Sequence, residues 1–176
     1  MASVSGTHGT PNVSSTTRAA AASERKPHPI QNSARVVEET FGVPCVALTL
    51  ANPSYYHLDT AMCALPCGAV IYYPGAFTPA ALDLIHARVA PEDRIALNAA
   101  DAAQFAANAI CAGQTIVLSS ASAGLRGALE VRGYTVVETP LTAFQRSGGS
   151  ACCLTLRLDH VSQAQAVVAP LLAVAR

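Results

Sequence analysis

The stretch from residue 105 to residue 138, FAANAICAGQTIVLSSASAGLRGALEVRGYTVVE, decides the fold. Phe105 to Ile110 reads as a strand, Cys111 to Gln114 as a turn and Thr115 to Ser119 as a second strand. A helix follows from about Ser122 to Arg132 and stops at Gly133, and Tyr134 to Glu138 forms a third strand. The unit is therefore strand, turn, strand, helix, strand.

The same order lies upstream. Tyr55 to Leu65 reads as extended, Pro66-Cys67-Gly68 as a turn and Ala69 to Tyr73 as a strand broken by Pro74-Gly75. Thr78 caps a helix whose first residue is Pro79 and which runs to about Arg88, and Arg94 to Asn98 is a short strand. A period of roughly forty-odd residues points to an array or propeller of supersecondary units. Half a unit precedes the pair: a helix ending at Phe41 before Gly42, then a buried strand from Val43 to Leu50. A lone strand, Ala151 to Leu158, follows it, and Val161 to Arg176 has the period of a helix. Residues 1–32 are rich in Ser, Thr, Ala, Gly and Pro and read as a disordered tail, with a mitochondrial targeting segment as the alternative. The domain is expected over 33–160, with 161–176 as a terminal helix or tail.

Composition excludes several functions. Half of the 176 residues are apolar, enough for one core. The formal net charge is zero, which offers no electrostatic grip on nucleic acid or an anionic membrane, and with no Trp and few aromatics there is no base-stacking platform. No apolar run approaches the roughly 20 residues that span a bilayer. No apolar signal segment opens the chain, so the expected compartment is the cytoplasm, where the six cysteines stay reduced. Cys63 and Cys67 lack the second ligand pair of a structural zinc site, and no metal or cofactor is expected.

Two segments carry chemistry: Tyr55-Tyr56-His57-Leu58-Asp59-Thr60, and Ser147-Gly148-Gly149-Ser150-Ala151-Cys152-Cys153-Leu154-Thr155-Leu156. In an extended segment His57 and Asp59 share a face. Together they offer a general acid–base near neutral pH and a carboxylate able to hold a guanidinium by charge-assisted hydrogen bonds. The glycine pair lets the backbone bend and approach a ligand, and a cysteine beside it is a candidate nucleophile, reactive as the thiolate. Adjacent cysteines on a strand point to opposite faces, so at most one of Cys152 and Cys153 would face the site. The plainer readings are a turn His and Asp bonded to backbone, and two small buried thiols. His86 reads as a helix-surface residue, His8 and His28 as tail residues, and His160 as solvent-facing.

Taken together, His57-Leu58-Asp59-Thr60, Phe105-Ala106-Ala107-Asn108-Ala109-Ile110 and Gly148-Gly149 through Cys153-Leu154-Thr155-Leu156 resemble, in order, the motifs of the guanidino-group-modifying superfamily. That family includes dimethylarginine dimethylaminohydrolases, arginine deiminases and glycine amidinotransferases. The resemblance covers about Ser33 to Asp159. It implies an α/β fold, a partial five-module ββαβ propeller (pentein-type) of about two and a half modules, equivalent to the family's C-terminal half. It implies Cys153 as nucleophile, because Cys-Leu-Thr-Leu fits the family's ending, with Cys152 as a rival; His57 as catalytic histidine; and Asp59 as the acid that holds substrate. The implied substrate is arginine or a derivative, attacked through a Cys-thiouronium intermediate that is resolved by water or by an acceptor amine, without a cofactor. The chain departs from the family in lacking the acids found well upstream of the histidine and in carrying Ala143 where relatives commonly have an acid before Phe144. The implied partners are an arginine-like small molecule and either a chain supplying the missing modules or a second copy. The alternative is a catalytically inactive fragment, or a binding or association module.

Overall fold

A computed structural model describes residues 30–156. The segments read above as tail and as terminal helix, residues 1–29 and 157–176, lie outside the described residues.

Two copies of one three-stranded sheet follow each other along the chain. In the first, β1 (Met62–Ala64) pairs antiparallel with β2 (Val70–Tyr72), and β2 pairs parallel with β3 (Arg94–Ala96). In the second, β4 (Ile110–Ala112) pairs antiparallel with β5 (Thr115–Leu118), and β5 pairs parallel with β6 (Thr135–Glu138). A short turn suffices for each antiparallel pair, whereas each parallel pair needs a crossover. The crossovers are helical, and with α1 taken as Ile30–Phe41 and α2 as Leu58–Ala61, they are α3 (Pro79–Arg88) and, beyond α4 (Ala99–Ala103), α5 (Ala123–Glu130). The chain ends its described part in α6 (Thr142–Gln145) and a 3-10 turn, Cys152–Leu154.

Local chemistry sets these bounds. The Thr78 hydroxyl accepts from Ala81 N and Pro79 follows it, so α3 begins where two of its free amide groups are dealt with. Ser122 caps α5 in the same way through Leu125 N. Gly133 takes φ +83°, a left-handed conformation that stops the helix and releases the chain into β6. The central strand of each sheet is the most buried: Val70, Ile71 and Tyr72 in one, Ile116 and Leu118 in the other. They join Leu65, Ile85, Leu125 and Leu129 in one continuous core.

Four stretches differ from the sequence reading. Val43 to Leu50 makes no ladder; its sheet-type pairing among the described residues is a single bridge, Leu50 to Phe77, flanked by the bonds Thr78 N to Thr49 O and Ala51 N to Ala76 O. Tyr55 to Leu65 is not continuously extended, because the Thr60 amide and hydroxyl both donate to His57 O and wind Leu58–Ala61 into a turn of helix. Phe105 to Ile110 is a turn up to Ala109: Phe105 takes φ +53° and Asn108 N donates to Phe105 O. Ala151 to Leu156 is not a strand either, since Cys152 N donates to Asn108 O and the chain coils through Cys152–Leu154. The turn from Phe105 to Ala109 is largely buried, whereas Val43 to Leu50 is mainly half-buried and Cys153 to Leu156 is exposed.

The last three of these segments are equivalent. The first two lead directly into β1 and β4, and the third follows β6 as the second follows β3. Asp59, Asn108 and Cys153 occupy them, separated by 49 and then 45 residues. The repeat thus brings three irregular segments together, and the side chains of Asp59, Asn108 and Cys153 meet there rather than on the strands.

Candidate active site

Asn108 is the hub of the site. It is fully buried within an otherwise alanine-rich turn, and a buried amide must find partners for both its ends. Its Nδ2 donates to Asp59 O at 3.1 Å, Asp59 Oδ2 at 3.2 Å and Cys153 Sγ at 3.1 Å, so two N–H groups are shared among three acceptors. Its Oδ1 accepts from Ser150 N at 2.9 Å and from Cys153 N at 3.2 Å. One side chain therefore fixes the helical turn that carries Asp59 and the glycine-rich turn that carries Cys153.

The Cys153 thiol donates to Asp59 Oδ2 at 3.2 Å. Cys153 is exposed, Cys152 half-buried. Gly149 keeps one side of the sulfur clear, for a Cβ there would sit 3.2 Å from Cys153 Cβ and 3.5 Å from its sulfur. Burial pushes the Cys153 thiol above its ordinary acidity range; the hydrogen bond to Asp59 and its negative charge push the same way, while Asn108 and the Ser150 amide oppose them. Cys152 is pushed up to about 11, mainly by burial and then by Asp59 and Cys153. Cys63, beside them in the core, is raised further by burial. Of these thiols, Cys153 alone combines exposure with a donor aimed at its sulfur.

A second clamp joins the same two segments. The Tyr56 hydroxyl donates to Gly148 O at 3.2 Å. Gly148 has φ +86°, and a Cβ on it would lie 2.6 Å from the Tyr56 oxygen, so glycine is required on both counts. The His57 ring packs on Tyr56 with centroids 4.5 Å apart. His57 is exposed and, among the described residues, its ring makes no hydrogen bond.

The structure thus brings Cys153 and Asp59 into contact and leaves His57 at the rim, against Tyr56. The same-face argument for His57 and Asp59 does not hold, because Asp59 lies in a helical turn for which His57 is the N-terminal cap position. The strand-parity argument for the two cysteines does not hold either, since both lie in a 3-10 turn; burial and the Asn108 bond distinguish them instead. Sequence motifs alone give no role to Asn108 or Tyr56. The signal for Asn108 was a lone amide in an apolar run. His86 meets the Tyr72 hydroxyl at 3.2 Å on α3 and is no part of the site. A separate cavity of about 320 Å³ between β3 and α5, lined by Arg94, Leu97, Asn98, Ser122 and Arg132 among others, contains none of Asp59, Asn108 and Cys153.

A thiol 3.2 Å from a carboxylate suits a cationic, planar electrophile. The carboxylate can accept the N–H groups of such a group and hold its central carbon toward the sulfur.

No family model matches the chain. Over 118 residues it is 45% identical to the bifunctional arginine dihydrolase/ornithine cyclodeaminase AgrE of Nostoc sp. (strain PCC 7120), covering 67% of this chain and 17% of that protein. Over 122 residues it is 36% identical to the N(G),N(G)-dimethylarginine dimethylaminohydrolase of Mycobacterium tuberculosis, covering 69% of this chain and 40% of that one. The N-terminal domain of ArgZ, a cyanobacterial arginine dihydrolase, solved covalently bound to a reaction intermediate, superposes with a TM-score of 0.71 at 38% identity, over 73% of this chain and 47% of that domain. The chain thus spans less than half the length of the relatives it matches, and the shared fold is the pentein-type propeller in part.

Proposed function

From homology in sequence and fold to a segment of the guanidino-group-modifying enzymes, we propose that this chain carries the nucleophile half of a site that hydrolyses the guanidino group of arginine or an N-substituted arginine. The observation that carries the reading is the Cys153–Asp59–Asn108 contact set. Asp59 accepts two guanidinium N–H groups, the cation displaces the thiol proton from its present bond with the carboxylate, and that proton passes to His57. The Cys153 thiolate attacks the guanidino carbon, forming an S–C bond. Its C–N bond to the leaving amine breaks as His57 donates a proton, giving a thiouronium intermediate. His57 then takes a proton from water, whose oxygen attacks the same carbon; the S–C bond breaks and a ureido product leaves. This role requires the His57 ring to turn from Tyr56 toward the sulfur, and catalytic contacts commonly tighten only once substrate is bound. Hydrolysis rather than transfer to an amine is favoured because the similar enzymes named above are hydrolases.

A second reading is favoured by a different observation. Leu154 in the cysteine turn, Leu156 just after it and Phe144, whose carbonyl accepts from Gly149 N, are 48%, 82% and 49% exposed. Such an apolar rim fits a surface that packs against further modules, supplied by another chain or by a second copy, and in isolation it makes the chain an association module without turnover. Neither reading calls for nucleic acid or a membrane, and among the described residues no helix is long and apolar enough to cross one. Cys63, Cys67, Cys152 and Cys153 are thiols, which fits a cytoplasmic location.

The test is labelling of the purified chain with a haloacetamidine, which presents a guanidinium-like cation to a thiolate, followed by peptide mass spectrometry. Adducts confined to Cys153 and blocked by arginine or dimethylarginine, with ureido product formed from one of them, support the enzymatic reading. Selective, protectable labelling without product, together with dimerisation in sedimentation, supports the association reading. Equal labelling of Cys67 and Cys153 would sink both.

A further inference from the structure

We propose that Asn108 is the positioning residue of this site: its carboxamide fixes the Cys153 sulfur against Asp59 and donates to that sulfur when it carries negative charge. The inference deepens the reading above and rests on it for the identity of the substrate, but not for the chemistry of the thiol. Three features carry it. The amide is fully buried, so its hydrogen bonds face no competition from bulk solvent. It spans all three of the stacked irregular segments, touching Asp59 in one and Ser150 and Cys153 in the next while belonging to the one between. Its donor lies 3.1 Å from Sγ, on the nucleophile itself.

The arrangement places opposed influences on one sulfur. Asp59 accepts from the thiol and favours its protonated form, whereas the Asn108 N–H group is a donor that cannot accept from the thiol, and so favours the thiolate. Asn108 also touches Asp59, so the same amide holds the carboxylate in reach of the sulfur. When a guanidinium occupies Asp59, the carboxylate's influence on the sulfur is offset and the Asn108 donor remains. Asn108 is thus fitted to present a charged sulfur at the moment a cation arrives. The Oδ1 end serves geometry: by binding the Ser150 and Cys153 amides it sets the turn that aims Sγ.

The experiment measures the pH dependence of iodoacetamide alkylation at Cys153 and, as an internal reference, at exposed Cys67, by peptide mass spectrometry on the intact chain. Iodoacetamide is neutral, so the result does not depend on guanidine recognition; failure of the functional reading would instead appear as loss of arginine protection in the haloacetamidine assay. Asn108→Asp keeps an acceptor for both amides, removes the donor and adds a charge. It is expected to move the Cys153 midpoint up by about one pH unit or more, with Cys67 unmoved. Asn108→Ser removes the reach to Sγ without adding a charge, and a smaller upward shift is expected. Circular dichroism establishes which variants fold. A folded variant with an unchanged Cys153 midpoint overturns the proposal. Failure of both variants to fold assigns Asn108 to the scaffold alone and overturns it equally.

Discussion

Cys153 Sγ and Asp59 Oδ2 lie 3.2 Å apart although 94 residues separate them in the chain, and the bond between them runs from thiol to carboxylate. On the proposed roles, a thiol hydrogen-bonded to the acid that would hold the substrate is held in check until that acid is occupied. Removing the charge should release it. In Asp59→Asn the negative group that helps hold the thiol above its ordinary acidity is gone, so the thiolate forms at lower pH. The alkylation midpoint of Cys153 is expected to fall by about one unit, while haloacetamidine selectivity is lost with the cation site.

The two adjacent cysteines separate cleanly by substitution. Cys153→Ser is expected to abolish any covalent adduct with a guanidinium mimic, and Cys152→Ser to leave it in place, as read by intact-mass spectrometry. The reverse pattern would move the nucleophile to Cys152.

Buried thiols give stability a pH limit. Cys152 is raised from 9.0 to about 11 by burial, so the folded chain holds the proton where the unfolded chain releases it. A group raised in this way contributes stability that is whole below the unfolded value and is lost as pH rises through the folded one. Urea unfolding midpoints are expected to be flat below pH 9 and to decline between pH 9 and about pH 11, with part of that decline absent in Cys152→Ser.

The Gly148–Tyr56 clamp predicts a non-additive pair. Gly148→Ala places a Cβ 2.6 Å from the Tyr56 oxygen and forces a left-handed φ on alanine. The backbone part alone costs about 1–2 kcal/mol. Tyr56→Ala removes the steric part, so in a double-mutant cycle the glycine substitution should destabilise less in the Tyr56→Ala background. Full additivity would show that the clamp is not formed.

Asp101 is the most buried carboxylate in the described chain, accepting from Ser122 N at 2.8 Å, from the Ser122 hydroxyl at 2.7 Å and from Asn98 Nδ2 at 2.9 Å. It ties α4 to the cap of α5. Asp101→Ala strands these donors and is expected to cost about 2–3 kcal/mol in chemical denaturation. Ser122→Ala, which leaves the carboxylate its other partner, should cost less.

What was legible in the sequence was local. Thr78 before Pro79, the glycine at 133 and the repeated strand–turn–strand–helix–strand order are set by interactions within a turn or two of the chain. They recur in the structure at nearly the expected residues. Val43 to Leu50, Phe105 to Ile110 and Ala151 to Leu156 differ from the strands expected of them because apolar composition favours a strand without supplying its ladder partner, and hydrogen-bond partners elsewhere in the chain decide the outcome. The motifs named Cys153, His57 and Asp59 as chemically able groups, yet their spacing held no distance between them. The contact of Asp59 with Cys153, the placing of His57 against Tyr56 and the part taken by Asn108 arise from stacking three segments 45 and 49 residues apart. Tertiary structure alone decides such contacts, because they form only when the whole repeat closes around its core.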